Sequence, residues 1–409
     1  MLLGEDARGR RHIAVTGWRK GLFLLSAFAL ASTGLTACLG STPVAKKAGP
    51  IKLGMIAPLT GPYSALGTND EIGAKMAVAQ INRAGGIEGR KIALIVQDDQ
   101  TNPTQAVLDY HNLVADGVVG VVGSVFSSSS LATVPSADAA KIPMISTAGA
   151  GTLVNPVHPY VFMTPPTTRL VDEQMLAYAR YKGWTRVEVA NDTTGANMAA
   201  WQELQQMAPR YGITLREQSF SLTSTDFSAL LTHVKTSGAQ ALMVWGAGPA
   251  EVILTQQFKS MGLTMPLLMC YAEASFLYTR PVGAAGNGVR IAAEIQAVGP
   301  YMPTGPLKRQ TMSFVNAFQP VYHYYPPEFA MDAYSAVELF AAAIRKAGSV
   351  TPTAIDAALN HISLLTPEGT YTYTPTDHSG LSVKDVVITI DRNGTLVPTR
   401  FTRNLLRGT

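Results

Sequence analysis

Four consecutive serines, Ser127 to Ser130, close the stretch VVGVVGSVFSSSS and are the densest set of potential nucleophiles in the chain. Such hydroxyls could attack a carbonyl, cap a helix, or offer donors to a carboxylate as one wall of a binding site. Attack needs more than hydroxyls. The surroundings lack the G-x-S-x-G elbow, and no histidine and acid pair can be assigned to the run. The seven histidines, at 12, 111, 158, 233, 323, 361 and 378, are scattered without metal-ligand spacing. Asp98 and Asp99 end an apolar run and could be taken for an acid and a base. Nothing sets them against a substrate, so a loop role beside a helix start is the simpler reading. GGIEGRK lacks the G-x-x-x-x-G-K-[ST] spacing, and GAAGNG at 283–288 does not fit G-x-G-x-x-G, so no phosphate-binding loop and no cofactor are expected.

The elements that must position these residues emerge from Ile51 onward, where short apolar runs alternate with amphipathic stretches. IKLGMIAPL reads as a strand, and Ala74, Ala77, Val78 and Ile81 follow at the spacing of one helical face. Gly85 and Gly86 suit a left-handed helix end. KIALIVQDD is a second strand. After it, Asn102 is placed to cap a helix with Pro103 in its first turn and Gln105 at the capping-box position. VVGVVG is a third strand, too continuously apolar for a half-exposed sheet position, and IPMIS is a fourth. The rhythm restarts with RVEVAND, GITLREQSF, ALMVW and PLLMC. Between them Phe227, Leu230, Leu231 and Val234 share a helical face that Asp226 can cap. A buried helix is expected within 324–347, and VKDVVITIDRNG reads as a strand and turn.

This alternation predicts an α/β protein of two Rossmann-like units, each a parallel sheet flanked by helices. Ligands gather at the carboxyl ends of the strands of such sheets, where GSVFSSSS falls. A hydroxyl and free N–H groups at a helix start suit a carboxylate or other anion. Pro135 predicts a break, with a short serine turn and a restart.

Composition narrows the class. The chain has 409 residues, is 47% apolar and 15% charged, and carries a formal net charge of +4. That is enough to bury a large core. Residues 1–37 hold Arg8, Arg10, Arg11, Arg19 and Lys20 against Glu5 and Asp6, and so account for +3 of that charge. No basic stripe with interleaved aromatics remains, which argues against nucleic acid as a partner. The same residues read as an export signal, with basic residues ahead of GLFLLSAFALASTGLTA, an apolar stretch too short for an ordinary membrane span. Leu35, Thr36, Ala37 and Cys38 resemble a bacterial lipobox. The resemblance implies cleavage before Cys38 and a lipid anchor there, with residues 38–50 as tether. Only Cys270 then remains, so no intramolecular disulfide is expected.

IKLGMIAPLTGPYSALG, INRAGGIEGRKIALIVQDDQTNP, GVVGVVGSVFSSSS, IPMIS and TDFSALLTHVKTSGAQALMVWG occur in order. Together they resemble the leucine/isoleucine/valine-binding family, the substrate-binding proteins of branched-chain amino-acid ABC importers. The resemblance implies type I periplasmic binding architecture, with two lobes (51–166 with 299–381, and 167–298 with 382–409) joined by three hinge crossings. It implies no catalysis, an extracytoplasmic location, and importer permease subunits as partners. By the same resemblance Ser127 takes the family's carboxylate-binding position and Ala148 supplies backbone contacts. Glu273 falls at the ammonium-binding acid, and Phe329 lines the side-chain pocket. A zwitterion does need donors at one end and an acid at the other.

The departures from the family pattern concern the same cleft. Leu66 stands where a tyrosine often follows the first turn, and Ala150 where a threonine hydroxyl often helps the carboxylate. Gly195 lacks the usual preceding tyrosine, and Gly248 replaces another aromatic. These changes predict a larger, less polar pocket that could take an aliphatic amino acid, an amide, a urea-like compound or an aromatic acid. A sensory receptor subunit built on the same module stays open, as does, more remotely, a secreted α/β hydrolase.

Overall fold

The computed structural model describes residues 49–408. The export signal over 1–37, the lipidation at Cys38 and the tether before Gly49 lie outside the described residues. Five strands, β1 (Ile51–Ala57), β2 (Ile92–Asp98), β3 (Val121–Val122), β4 (Met144–Ser146) and β5 (Val161–Met163), form one sheet in the order β2-β1-β3-β4-β5. Every pairing in it is parallel. Parallel strands need crossovers, and here α1 (Ser64–Arg83), α2 (Pro103–Ala115) and α3 (Ser127–Ala140) provide them. With helices on its faces the sheet is buried, which is why β1 reads as a nearly unbroken apolar run.

Local chemistry explains the helix ends and corrects two expectations. Ala74, Ala77 and Ile81 form the buried side of α1, and the chain leaves it through Gly85 and Gly86 at φ of +106° and +85°. Asn102 caps α2 by accepting from the N–H groups of Thr104 and Gln105 at 2.9 and 3.4 Å. The capping box is not completed, because the Gln105 amide donates to Asp109 instead, at 2.8 Å. Pro135 does not break α3, which runs unbroken through it. Proline leaves one carbonyl of the previous turn without its donor, and here Pro135 sits on the exposed side, where water can satisfy that group.

The chain then builds a second sheet. Helix α4 (Thr168–Tyr181) leads into β6 (Arg186–Asp192), α5 (Gly195–Tyr211), β7 (Thr214–Phe220), α6 (Ser228–Thr236) and β8 (Ala241–Trp245). Helix α7 (Pro249–Ser260), β9 (Leu267–Met269), α8 (Phe276–Val282) and β10 (Arg290–Glu294) follow. Asp226 serves the start of α6 by accepting from the Ser228 N–H and hydroxyl at 2.9 and 2.6 Å. Helices α9 (Pro306–Tyr322), α10 (Glu328–Ala347) and α11 (Pro352–Leu359), with the hairpin β11 (Ser363–Thr366) and β12 (Gly369–Thr372), return to the first sheet. Strands β13 (Val386–Arg392) and β14 (Thr395–Pro398) then add to the second sheet antiparallel, before α12 (Arg400–Arg407).

The second sheet runs β14-β13-β10-β9-β8-β6-β7. Its parallel part repeats the first sheet's order, with the second strand of the unit outside the first and the others on the opposite side. Each sheet therefore reverses direction of winding next to its first strand, and the carboxyl ends beside that point open into a crevice. The buried helix expected within 324–347 is α10, whose side against α1 is so close that a Cβ on Gly73 would lie 1.8 Å from the Ala330 carbonyl oxygen. Among the described residues no helix is long and apolar enough to cross a membrane.

Candidate functional site

Loops from the carboxyl ends of both sheets surround a small cavity, placed where ligands of such sheets gather. The first sheet contributes Tyr63 and Leu66 after β1, Val125 to Ser127 after β3, and Thr147 and Gly149 after β4. From the second come Thr194 to Asn197 at the start of α5, Trp245 to Ala247 after β8, and Cys270 to Ala272 after β9, apart from Gly195. The first turns of α10 complete it with Phe329 and Asp332.

The serine run divides its labour. Ser130 is buried; its hydroxyl donates to the Ser124 carbonyl at 2.7 Å and accepts from the Ser146 hydroxyl at 2.9 Å. Ser129 is buried as well, and Asp99 lies beside it. Ser127 alone of the four lines the cavity. It opens α3 after an extended Phe126 that provides no side-chain cap. The N–H groups of Ser127, Ser128 and Ser129 therefore begin the helix without a protein partner among the described residues. The run's side-chain bonds go to Ser124 and Ser146, with Thr133 donating to the Ser130 carbonyl. No histidine is among these partners, so the geometry offers an anion seat and no activated nucleophile.

An apolar wall stands beside that seat. Tyr63, Leu66, Val125 and Phe329 pack together, joined by Leu222, Ala247 and Leu277 from the second sheet's side. The rings of Tyr63 and Phe126 lie 4.9 Å apart. Elements of both sheets thus meet over the cavity, and they do so closely at Gly149, where a Cβ would lie 1.9 Å from the Tyr271 hydroxyl.

Of the residues expected at the cleft, Ser127, Leu66 and Phe329 line one cavity. Ala148, Ala150, Gly195, Glu273 and Gly248 sit in its loops without lining it. The Ala148 N–H donates to the Ser146 hydroxyl at 3.1 Å, while Ala150 accepts from the Leu153 N–H and so opens a short turn. Gly195 is the first residue of α5. Gly248, at φ +119°, donates its N–H to Glu273 at 3.3 Å. Glu273 is buried, and burial and the neighbouring Glu251 push its carboxyl well above the usual range. The cavity is reached instead by the two residues before it, Tyr271 and Ala272.

Asp332 is the acid that does reach the cavity. It is 1% exposed, and neither of its carboxyl oxygens has a hydrogen-bond partner. Burial, followed by Glu294 and Glu368, raises its pKa well above the ordinary value. The signal in the sequence was a charge among the apolar residues of FAMDAYSAVELF, three residues after Phe329 and so on the same side of the helix. Cys270 also lines the cavity, but its thiol donates to the Gly246 carbonyl at 3.1 Å. Burial pushes that thiol far up, which leaves it inert. Donors at the start of α3, an apolar wall and an unpaired acid can together bind a small molecule with one anionic end and one donor end.

Comparison with known proteins agrees with this architecture. A family model described as periplasmic binding protein matches residues 50–389. The chain is 28% identical over 355 residues to the leucine-, isoleucine-, valine-, threonine-, and alanine-binding protein of Pseudomonas aeruginosa, covering 81% of this chain and 88% of that one. Among solved structures it is similar to an extracellular ligand-binding receptor from Rhodopseudomonas palustris, with a TM-score of 0.80 and 21% identity over 86% of this chain and 100% of that one. It is also similar to a branched-chain amino acid transporter substrate-binding protein from Streptococcus pneumoniae in complex with isoleucine, with a TM-score of 0.76 and 24% identity over 85% and 97% of the two chains.

Proposed function

This chain belongs to the periplasmic binding protein family, whose members bind solutes outside the cytoplasm and are not enzymes, and from that premise we propose that it captures a small amino acid with an aliphatic side chain. The observation that carries the reading is that Ser127, the Leu66–Phe329 wall and Asp332 border one cavity. The ligand carboxylate would sit on the Ser127 hydroxyl and the free N–H groups at the start of α3. Its side chain would pack on Leu66, Val125 and Phe329. Its ammonium would pair with Asp332, which takes the part first expected of Glu273, and would draw that carboxyl into its ionised form. The amino-acid-binding relative in Pseudomonas aeruginosa points to the same ligand class.

Two lobes, 51–166 with 299–381 and 167–298 with 382–409, would close on the ligand as hinged bodies. Cys38 would carry the lipid that keeps the protein at a membrane, and importer permease subunits would receive the solute. Replacing Cys38 by serine should release the protein from the membrane fraction; continued membrane retention would remove the anchor from this account.

The first test is thermal unfolding of the detergent-solubilised full chain against aliphatic amino acids, their amides and aromatic acids. Ligand at about 100 times its dissociation constant adds ~2.7 kcal/mol of stability, a clear shift. A shift with leucine, isoleucine or valine, absent with the matching acids that lack an ammonium, supports the reading. Equal shifts with and without the ammonium would mean that Asp332 has no part in recognition.

A further inference from the structure

Three carboxyl groups from three separate segments meet beside the cavity. Glu294 ends β10, Asp332 lies in α10, and Glu368 occupies the turn between β11 and β12. One oxygen of each lies within 4.8 Å of the others, and all three are 1% exposed or less. No basic side chain forms an ion pair with any of them among the described residues. Glu294 accepts from the Gln296 amide at 2.7 Å, and Glu368 accepts from the Tyr371 hydroxyl at 2.9 Å. The second oxygen of each of these, and both oxygens of Asp332, have no partner. Gln296 adds a separate observation. Its side chain is buried with the amide against Glu294, and its carbonyl oxygen also lacks a donor.

Buried acceptors without donors are costly, and this many in one place call for a shared positive partner. We propose that Glu294, Asp332 and Glu368, with the amide oxygen of Gln296, form a site for one divalent cation of the calcium class. Donors that are all oxygen favour a hard ion over zinc, which prefers nitrogen and sulfur. Calcium accepts roughly six to eight oxygens in flexible geometry, whereas magnesium demands near-octahedral order and dehydrates reluctantly, so buried carboxylates from three separate segments suit the more permissive ion. Tyr371 holds one oxygen of Glu368 and leaves the other free, as groups behind metal ligands do. Asp332 lines the cavity, so an ion has a way in, and one Asp332 oxygen stays available to the solute while the other holds the ion. Because β10 belongs to the second sheet and α10 packs on the first, the ion would tie both together at a crossing of the chain.

The test uses metal alone and so does not depend on which solute binds. Detergent-solubilised full chain is stripped with chelator and titrated with terbium, exciting tyrosine, then with calcium chloride. Saturable terbium emission should appear, sensitised in part by Tyr371. Calcium should displace it with a midpoint of roughly 10⁻⁴ to 10⁻³ M, as for extracellular modules. Calcium should also raise the unfolding temperature where sodium chloride of equal ionic strength does not. Glu368→Gln and Asp332→Asn should each weaken binding at least about tenfold, since affinity follows ligand charge. Tyr371→Phe, which keeps the ring, should lower the emission even if the acid variants do not fold. Absence of saturable emission, or emission unchanged in Tyr371→Phe and the folded acid variants, overturns the site.

Discussion

Ser127 and Ser130 stand three positions apart on one helix and have opposite tasks. The Ser130 hydroxyl is spent on Ser124 and Ser146, while that of Ser127 faces the cavity as one of its lining groups. Ser127→Ala should therefore weaken a carboxylate ligand by ~1–3 kcal/mol, since a buried charge loses a donor. The unfolding temperature without ligand should barely change, because Ser127 is half-buried and makes no side-chain bond within the protein. Titration calorimetry giving wild-type affinity would take Ser127 out of the site. The serine run was legible because a parallel strand ending in glycine and hydroxyls marks a place where ligands gather. The acid was harder. In the short helical turn Tyr271–Glu273 each residue points about 120° from the last, so a one-residue step decides whether Glu273 or Ala272 meets the cavity. Asp332 was hidden for another reason: α10 also carries Glu328 and Glu338, and which of its carboxyls meets the cavity shows only once neighbouring elements are in place.

At the scale of elements, buried parallel strands were readable because helices on both faces require unbroken apolar runs. The β11–β12 hairpin and the antiparallel strand β14 were not, being short and held by neighbours distant in sequence. The start of α7 shows what an element can impose on one side chain. Glu251 lies in its first turn, fully buried, with no hydrogen-bond partner for either carboxyl oxygen. Burial and Asp192 push it from an ordinary 4.5 up to about 8. The folded state holds that proton more tightly than the unfolded chain, so the associated stability is fully present below about pH 4.5 and is lost as pH rises to about 8. The loss is on the order of a few kcal/mol. Glu251→Gln cannot titrate. Its unfolding temperature should sit closest to, or below, wild type near pH 5, and gain on wild type toward pH 9. A difference between the two proteins that stays constant with pH would show that Glu251 ionises freely in the fold.

For the whole molecule, a decisive contact is one that joins the two sheets beside the cavity. Gly149 follows β4 of the first sheet and Tyr271 follows β9 of the second, and the space a Cβ would need at Gly149 is taken by the Tyr271 hydroxyl at 1.9 Å. Heavy atoms cannot approach that closely, so Gly149→Ala must push the two sides apart or swing the tyrosine away. Tyr271 is held by Trp245, whose ring lies edge-on at 6.3 Å, and displacing it would open the cavity wall that Trp245 also lines. Gly149 belongs to neither sheet's core, and Tyr271 packs only at the edge of the second sheet's core, so the unfolding temperature without ligand should fall modestly. Closure should suffer instead. Ligand affinity should drop about tenfold or more, because binding must then also work against an arrangement that excludes the closed state. Solution scattering should report a smaller contraction on adding ligand than in wild type. A second substitution, Tyr271→Phe, removes the oxygen that the new methyl group would meet, and in the Gly149→Ala background it should restore part of the affinity. If Gly149→Ala binds and contracts like wild type, the close approach of the two sheets is not what holds the ligand, and recognition rests on one side of the cavity alone.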